Sequence, residues 1–171
     1  MKRYLMLALA VIAVFAVTVP SYAADAVGAR LRGFEEVPPI SSGGGGFLFA
    51  SVNDAGTELQ FSLVYFNLES TVTQAHIHVG QSAVNGGIVL FFCTNLTPPA
   101  GVPAPPACPN NVGPNVVSGT LTAANVVSQT AQGIGVGDFS EVVRAILAGV
   151  TYANVHSTVF PGGEIRGQIS R

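Results

Sequence analysis

The segment Gln74-Ala75-His76-Ile77-His78-Val79-Gly80 sets two imidazoles two residues apart in a stretch that otherwise alternates like a strand. Successive strand side chains point to opposite faces, so His76 and His78 share one face while Ala75, Ile77 and Val79 share the other. Alternate residues lie about 6.6 Å apart along a strand, near enough for two rings to lean onto one ion with bonds of roughly 2 Å. The third and last histidine, His156, closes Tyr152-Ala153-Asn154-Val155-His156, a second alternating stretch. A set of three nitrogens at His76, His78 and His156 suits copper or zinc, with Glu164 or water as a further ligand. The alternative is a hydrogen-bonded polar lining in which Asn154, Glu164 and Arg166 join the histidines and fix strand ends.

Other chemistries find less support. No Gly-x-Ser-x-Gly elbow presents a nucleophilic serine. Glu35 and Glu36 are adjacent on an extended chain and point apart, unlike a glycosidase pair. Ion pairs of Glu35, Glu36 and Glu164 with Arg166, pinning the first strand to the last, are the expected use of these charges. The sequence therefore leans away from an enzyme.

The elements that must hold the histidines are short strands. Ala26–Gly33 reads as a first strand, ended by Val37-Pro38-Pro39. Ser41–Gly46 reads as a flexible hinge. Phe47–Val52 and Leu59–Phe66 flank the turn signal Asn53-Asp54-Ala55-Gly56 and form a hairpin. The histidine strand spans 72–79, and Ile88–Phe92 is an apolar run suited to a strand covered on both faces. Strands at 115–121, 150–156 and 164–170 follow, and a helix over 138–149 has Asp138 or Ser140 as its cap and Gly149 as its stop. About eight strands and one short helix predict an all-β fold, an antiparallel Greek-key sandwich.

Residues 1–23 have a basic start at Lys2 and Arg3, an apolar run of 16 residues from Tyr4 to Val19 and a small-residue exit at Ala23. This is the pattern of a secretory signal peptide, too short for a membrane span of roughly 20 residues. The expected product is a single domain over 24–171 with no transmembrane segment, secreted or, in a Gram-negative cell, periplasmic. It carries five arginines, no lysine and nine acidic residues, scattered along the chain. Such a surface repels nucleic acid and anionic membranes. Cys93 and Cys108, both in the exported part, flank a proline-rich loop, and a disulfide between them is the economical reading in an oxidising compartment.

Taken together, Phe34-Glu35-Glu36-Val37-Pro38-Pro39, Ala75-His76-Ile77-His78 with Asn85-Gly86-Gly87, and Tyr152–His156 with Pro161-Gly162-Gly163-Glu164-Ile165-Arg166-Gly167 resemble the CHRD domain, the module repeated in the extracellular protein chordin. The resemblance runs from Ala26 to Ser170 and implies an extracellular β-sandwich that binds or scaffolds, with an extracellular protein or surface as its partner. A partial likeness to the copper-zinc superoxide dismutases rests on His76-Ile77-His78 and Val155-His156, which match copper-ligand strands of an immunoglobulin-like sandwich. The remaining histidines and the aspartate of a two-metal site have no counterparts here.

Overall fold

Apolar–polar alternation between turn signals makes half-buried antiparallel strands, and residues 25–171, which the computed structural model describes, do this eight times. The leader expected over residues 1–23 lies outside the described residues. The strands are β1 (Asp25–Arg32), β2 (Gly45–Val52), β3 (Glu58–Phe66), β4 (Val72–Val79), β5 (Gly87–Thr94), β6 (Asn115–Thr122), β7 (Thr151–Ser157) and β8 (Ile165–Gln168). One helix, α1 (Phe139–Leu147), lies between β6 and β7. The count of strands and helix is the one the sequence predicts.

All eight strands belong to one antiparallel sheet in the order β5-β4-β7-β8-β1-β2-β3-β6. The sheet curls until its ends approach, and Phe61 of β3 meets Phe92 of β5 across the interior with ring centroids 4.7 Å apart. The two layers of the expected fold are thus two halves of one nearly closed sheet. The late hairpin β7–β8 is laid between β4 and β1, so strands from both ends of the chain become neighbours.

Period-two alternation places Leu31, Leu48, Leu63, Tyr65, Ile77, Val155 and Ile165 in the interior with no more than 1% of their surface exposed. Each such side chain stabilises the fold by roughly 1.5–3 kcal/mol before chain entropy is counted. Helix α1 adds Phe139, Val142 and Ile146 to the same core. Asp138 stands at its N-cap, but the expected cap bond is not made, because the carboxylate accepts from the Gly135 amide instead at 2.8 Å. Gly149 follows the helix with φ of 71°, as expected of a left-handed stop. The predicted hinge at 41–46 is shorter than expected, because Gly45 and Gly46 pair with β1 on one side and β3 on the other. Hydrogen bonds on both edges outweigh the freedom of the glycines.

The end strand β5 would offer open backbone groups to another chain. Here the Thr94 amide donates to Pro106 O at 2.9 Å and Val89 O accepts from the Val127 amide at 2.9 Å, so neighbouring loops cover that edge. The expected disulfide Cys93–Cys108 is formed and ties the proline-rich loop down. Asn95 seals it further, donating to Val72 O and Cys108 O and accepting from the Cys108 amide. The crosslink spans 15 residues, for which loop-closure entropy predicts about 3 kcal/mol. Replacing both cysteines by alanine is therefore expected to lower the unfolding free energy by about 3 kcal/mol, read from urea titration; an unchanged midpoint would show that the loop is held by its hydrogen bonds alone.

Candidate metal centre

The pairing of β4 with β7 decides where the imidazoles meet. Gln74 lies opposite His156, His76 opposite Asn154 and His78 opposite Tyr152. Ala75, Ile77, Ala153 and Val155 face the apolar core, so the histidines occupy the outer face of the sheet. An outer face is normally wet, yet His76, His78 and His156 are only 0%, 9% and 6% exposed. Several segments roof it. The β4–β5 loop and the stretches around Glu36 and Pro161 supply polar partners, and Phe91 of β5 lies edge-on to His76 at 4.9 Å. Register shifts in the β4–β5 ladder, on either side of the His76–Ile77 pair, bring Phe91 opposite His76. Such irregularities re-aim side chains that a regular ladder would send elsewhere.

The sequence-predicted trio is brought together. One ligand nitrogen from each of His76, His78 and His156 can be chosen so that all lie within 4.8 Å of one another. Nitrogens around an ion with bonds of 2.0–2.1 Å stand about 3.4 Å apart, so the rings need to close only slightly to grip it. The proton positions follow from the acceptors. His78 Nδ1 donates to Gly86 O at 2.8 Å and His156 Nδ1 donates to Pro161 O at 2.9 Å, since a carbonyl only accepts. Burial keeps His78 neutral at pH 7, so with its proton on Nδ1 its Nε2 accepts, and His76 Nδ1 shares one proton between that nitrogen and Asn154 Oδ1, both at 3.0 Å. His76 Nε2 and His156 Nε2 are left buried with no hydrogen-bond partner. His156 combines a backbone-anchored Nδ1–H with a bare Nε2, the arrangement of a metal-binding imidazole, whereas His78 Nε2 accepts from His76 Nδ1 and would have to give up that bond to take an ion.

Burial, first of all, lowers the pKa of each ring, that of His78 to about 4. The three imidazoles are therefore neutral at pH 7, the state in which nitrogen can take a metal. Behind them stands a fixed cation. Arg166, 2% exposed, lies with its guanidinium carbon 3.4 Å from the Tyr152 ring centroid, and Tyr152 stacks on His78 at 4.6 Å with 4° between the planes. One ring face cannot accommodate both partners at those distances, so Tyr152 is sandwiched between them.

The polar lining is divided differently from the expectation. Asn154 does touch His76, but Glu164 and Arg166 do not pair. Glu164 Oε1 accepts from Ser42 Oγ at 2.7 Å and the Glu69 amide at 2.8 Å, away from the histidines. Arg166 donates to Asn85 Oδ1, Gln81 O and Val84 O, holding the β4–β5 loop. Glu35 pairs with Arg32 on its own strand end at 3.0 Å. The expected strand-pinning ion pairs to Arg166 are therefore not formed, because loop carbonyls reach the guanidinium first. Glu36 was legible only as one of two adjacent acids. It is 5% exposed, sits beside Asn154 and Arg166, and lines a cleft of about 190 Å³ with Pro38, Phe160, Pro161 and Gly163. A side chain on Gly163, whose φ is 129°, would put Cβ 2.5 Å from Glu36 Oε1, so the glycine makes room for the carboxyl.

The family model for the CHRD domain matches residues 27–169 of the chain. No curated protein and no solved structure matches it.

Burial raises the Glu36 pKa from 4.5 to about 7, against the opposing pull of Arg166 and Asn154. Folded Glu36 therefore keeps its proton where the unfolded chain has lost it. Its contribution to stability is whole below pH 4.5 and is lost as the pH rises through about 7. The histidines run the opposite way, since their depressed values favour the fold above pH 6.5 and cost stability as the pH falls toward 4. Glu36→Gln, neutral at every pH, isolates the first effect. Relative to the parent protein, it is expected to gain about 3 kcal/mol between pH 4.5 and pH 8 in urea unfolding. A difference that stays constant across that range would remove the buried proton from Glu36.

Proposed function

The chain belongs to the CHRD domain family, and from that membership and its buried imidazoles we propose an exported, non-enzymatic binding module whose ligand is one copper or zinc ion held by His76, His78 and His156. The observation that carries the reading is the pair of buried, unpartnered nitrogens, His76 Nε2 and His156 Nε2, beside the third ring. A buried polar atom without a partner costs on the order of 1–3 kcal/mol, and a coordinated ion removes that cost. A lining that served structure alone would be more stable with those atoms satisfied.

Export is supported by the basic and apolar leader in the sequence, and the Cys93–Cys108 disulfide fits an oxidising compartment. Among the described residues, no helix is long and apolar enough to cross a membrane. An extracellular protein or surface that supplies or receives the ion is the partner this reading assigns. Asn154 orients His76, while the Gly86 and Pro161 carbonyls orient the other two rings; all three are positioning groups rather than ligands.

Metal-free protein is expected to take up one equivalent of Cu(II), Cu(I) or Zn(II), measured by dialysis and elemental analysis. His76→Ala and His156→Ala are each expected to weaken uptake at least about 100-fold, as loss of one of three ligands should. A folded protein that binds none of these ions at micromolar supply would overturn the proposal.

A further inference from the structure

We propose that the three-histidine site is built for a monovalent copper ion, Cu(I), in preference to Zn(II) or Cu(II). This rests on the metal-site reading above and goes beyond it in assigning charge and oxidation state. Three features of the surroundings point the same way.

The donors are all neutral. Among the described residues, the group within ligand distance consists of His76, His78 and His156, and no carboxylate or thiolate joins it. A divalent ion bound there keeps its full charge. Glu164 holds Ser42 and the Glu69 amide through Oε1, its Oε2 is buried without a partner, and the residue is not part of the cluster of three nitrogens.

The site is also dry and walled with rings. The imidazoles are at least nine-tenths buried, Phe91 lies edge-on against His76, and Tyr152 covers one face of His78. The cost of desolvating an ion rises with the square of its charge, so a dication pays about four times what a monocation does. Zinc in such a site calls for a fourth ligand and Cu(II) prefers a tetragonal set, whereas the singly charged Cu(I) is satisfied by three donors.

Finally, a permanent cation faces the site. The Tyr152 ring separates Arg166 from His78, which puts the guanidinium carbon within about 8 Å of that imidazole. At an ion roughly 10 Å away and an effective dielectric near 20, each unit of charge on the ion loses on the order of tenfold in affinity. Glu36 is the acid beside Arg166, and its desolvation favours the neutral form, so it offsets that cation only in part. The lining thus penalises the second positive charge and tolerates the first.

The test is a pair of competition titrations on the purified protein at about pH 6, where Glu36 is mainly protonated. Cu(I) is offered anaerobically against bicinchoninate, and Zn(II) is offered against a chromophoric zinc chelator. One Cu(I) per chain, held at least about tenfold more tightly than Zn(II), is the expected result, from the extra unit of charge facing Arg166. Zn(II) binding as tight as Cu(I), or tighter, overturns the preference while leaving the metal site standing. Binding of neither ion overturns the metal site itself, and the preference with it. Arg166→Gln, checked for folding by circular dichroism, is expected to raise Zn(II) affinity on the order of tenfold more than Cu(I) affinity. An equal change for both ions would take Arg166 out of the argument; the titrations of the parent protein depend on no variant.

Discussion

The whole outer layer depends on the register between β4 and β7. Because His76 stands opposite Asn154, with Tyr152 and His156 on either side along the same strand, one face of two neighbouring strands carries three imidazoles, two amides and a phenol. A slip of one residue would turn this set into the core and send Ala75, Ile77, Ala153 and Val155 outward. The register is secured by those four apolar residues, all fully buried against the interior. The hydrophobic face and the chemical face are therefore two consequences of one alignment.

Polar groups placed on an outer face usually remain in water. Here they are roofed by loops, and several of the buried polar groups beneath the roof are matched to backbone groups. Gly86 O takes one imidazole proton and Pro161 O another, while three groups of the β4–β5 loop take the Arg166 guanidinium. Such matching is what makes burial of polar side chains affordable in a low-dielectric layer. The atoms left over are informative against that background. His76 Nε2 and His156 Nε2 are unmatched beside a third imidazole, and Glu36 Oε1 is unmatched where a carboxyl has been pushed toward its neutral form; Thr151 Oγ1, Glu164 Oε2 and Gln168 Oε1 are the other buried side-chain atoms without a partner among the described residues.

Family membership and the site bear on different questions. The CHRD match spans nearly all of the described strands and assigns the chain to its family. Fold alone assigns no chemistry, which has to be argued from side chains. The curled sheet, its loop-covered edge at β5 and the Cys93–Cys108 crosslink make a rigid frame. On that frame, three imidazoles are held buried and neutral at pH 7, with one nitrogen of each within 4.8 Å of the others.

Local pattern was enough to read the strands, the helix, the cysteine pair and the shared face of His76 and His78, because these follow from alternation and from residues close together in the chain. The likeness of 34–39, 75–87 and 152–167 to one domain family was legible for the same reason. What pattern could not supply was the partner of each charge. Glu164 and Arg166 lie two residues apart on one face, yet one reaches Ser42 and the other Asn85, choices made by loops far away in sequence. Nor could alternation show that the outer face is roofed, that Phe91 is brought against His76 by irregular pairing, or that Glu36 is buried. Those outcomes belong to tertiary structure, since burial and proton affinity depend on what the rest of the chain lays over a residue, and a residue's own neighbours do not carry that information.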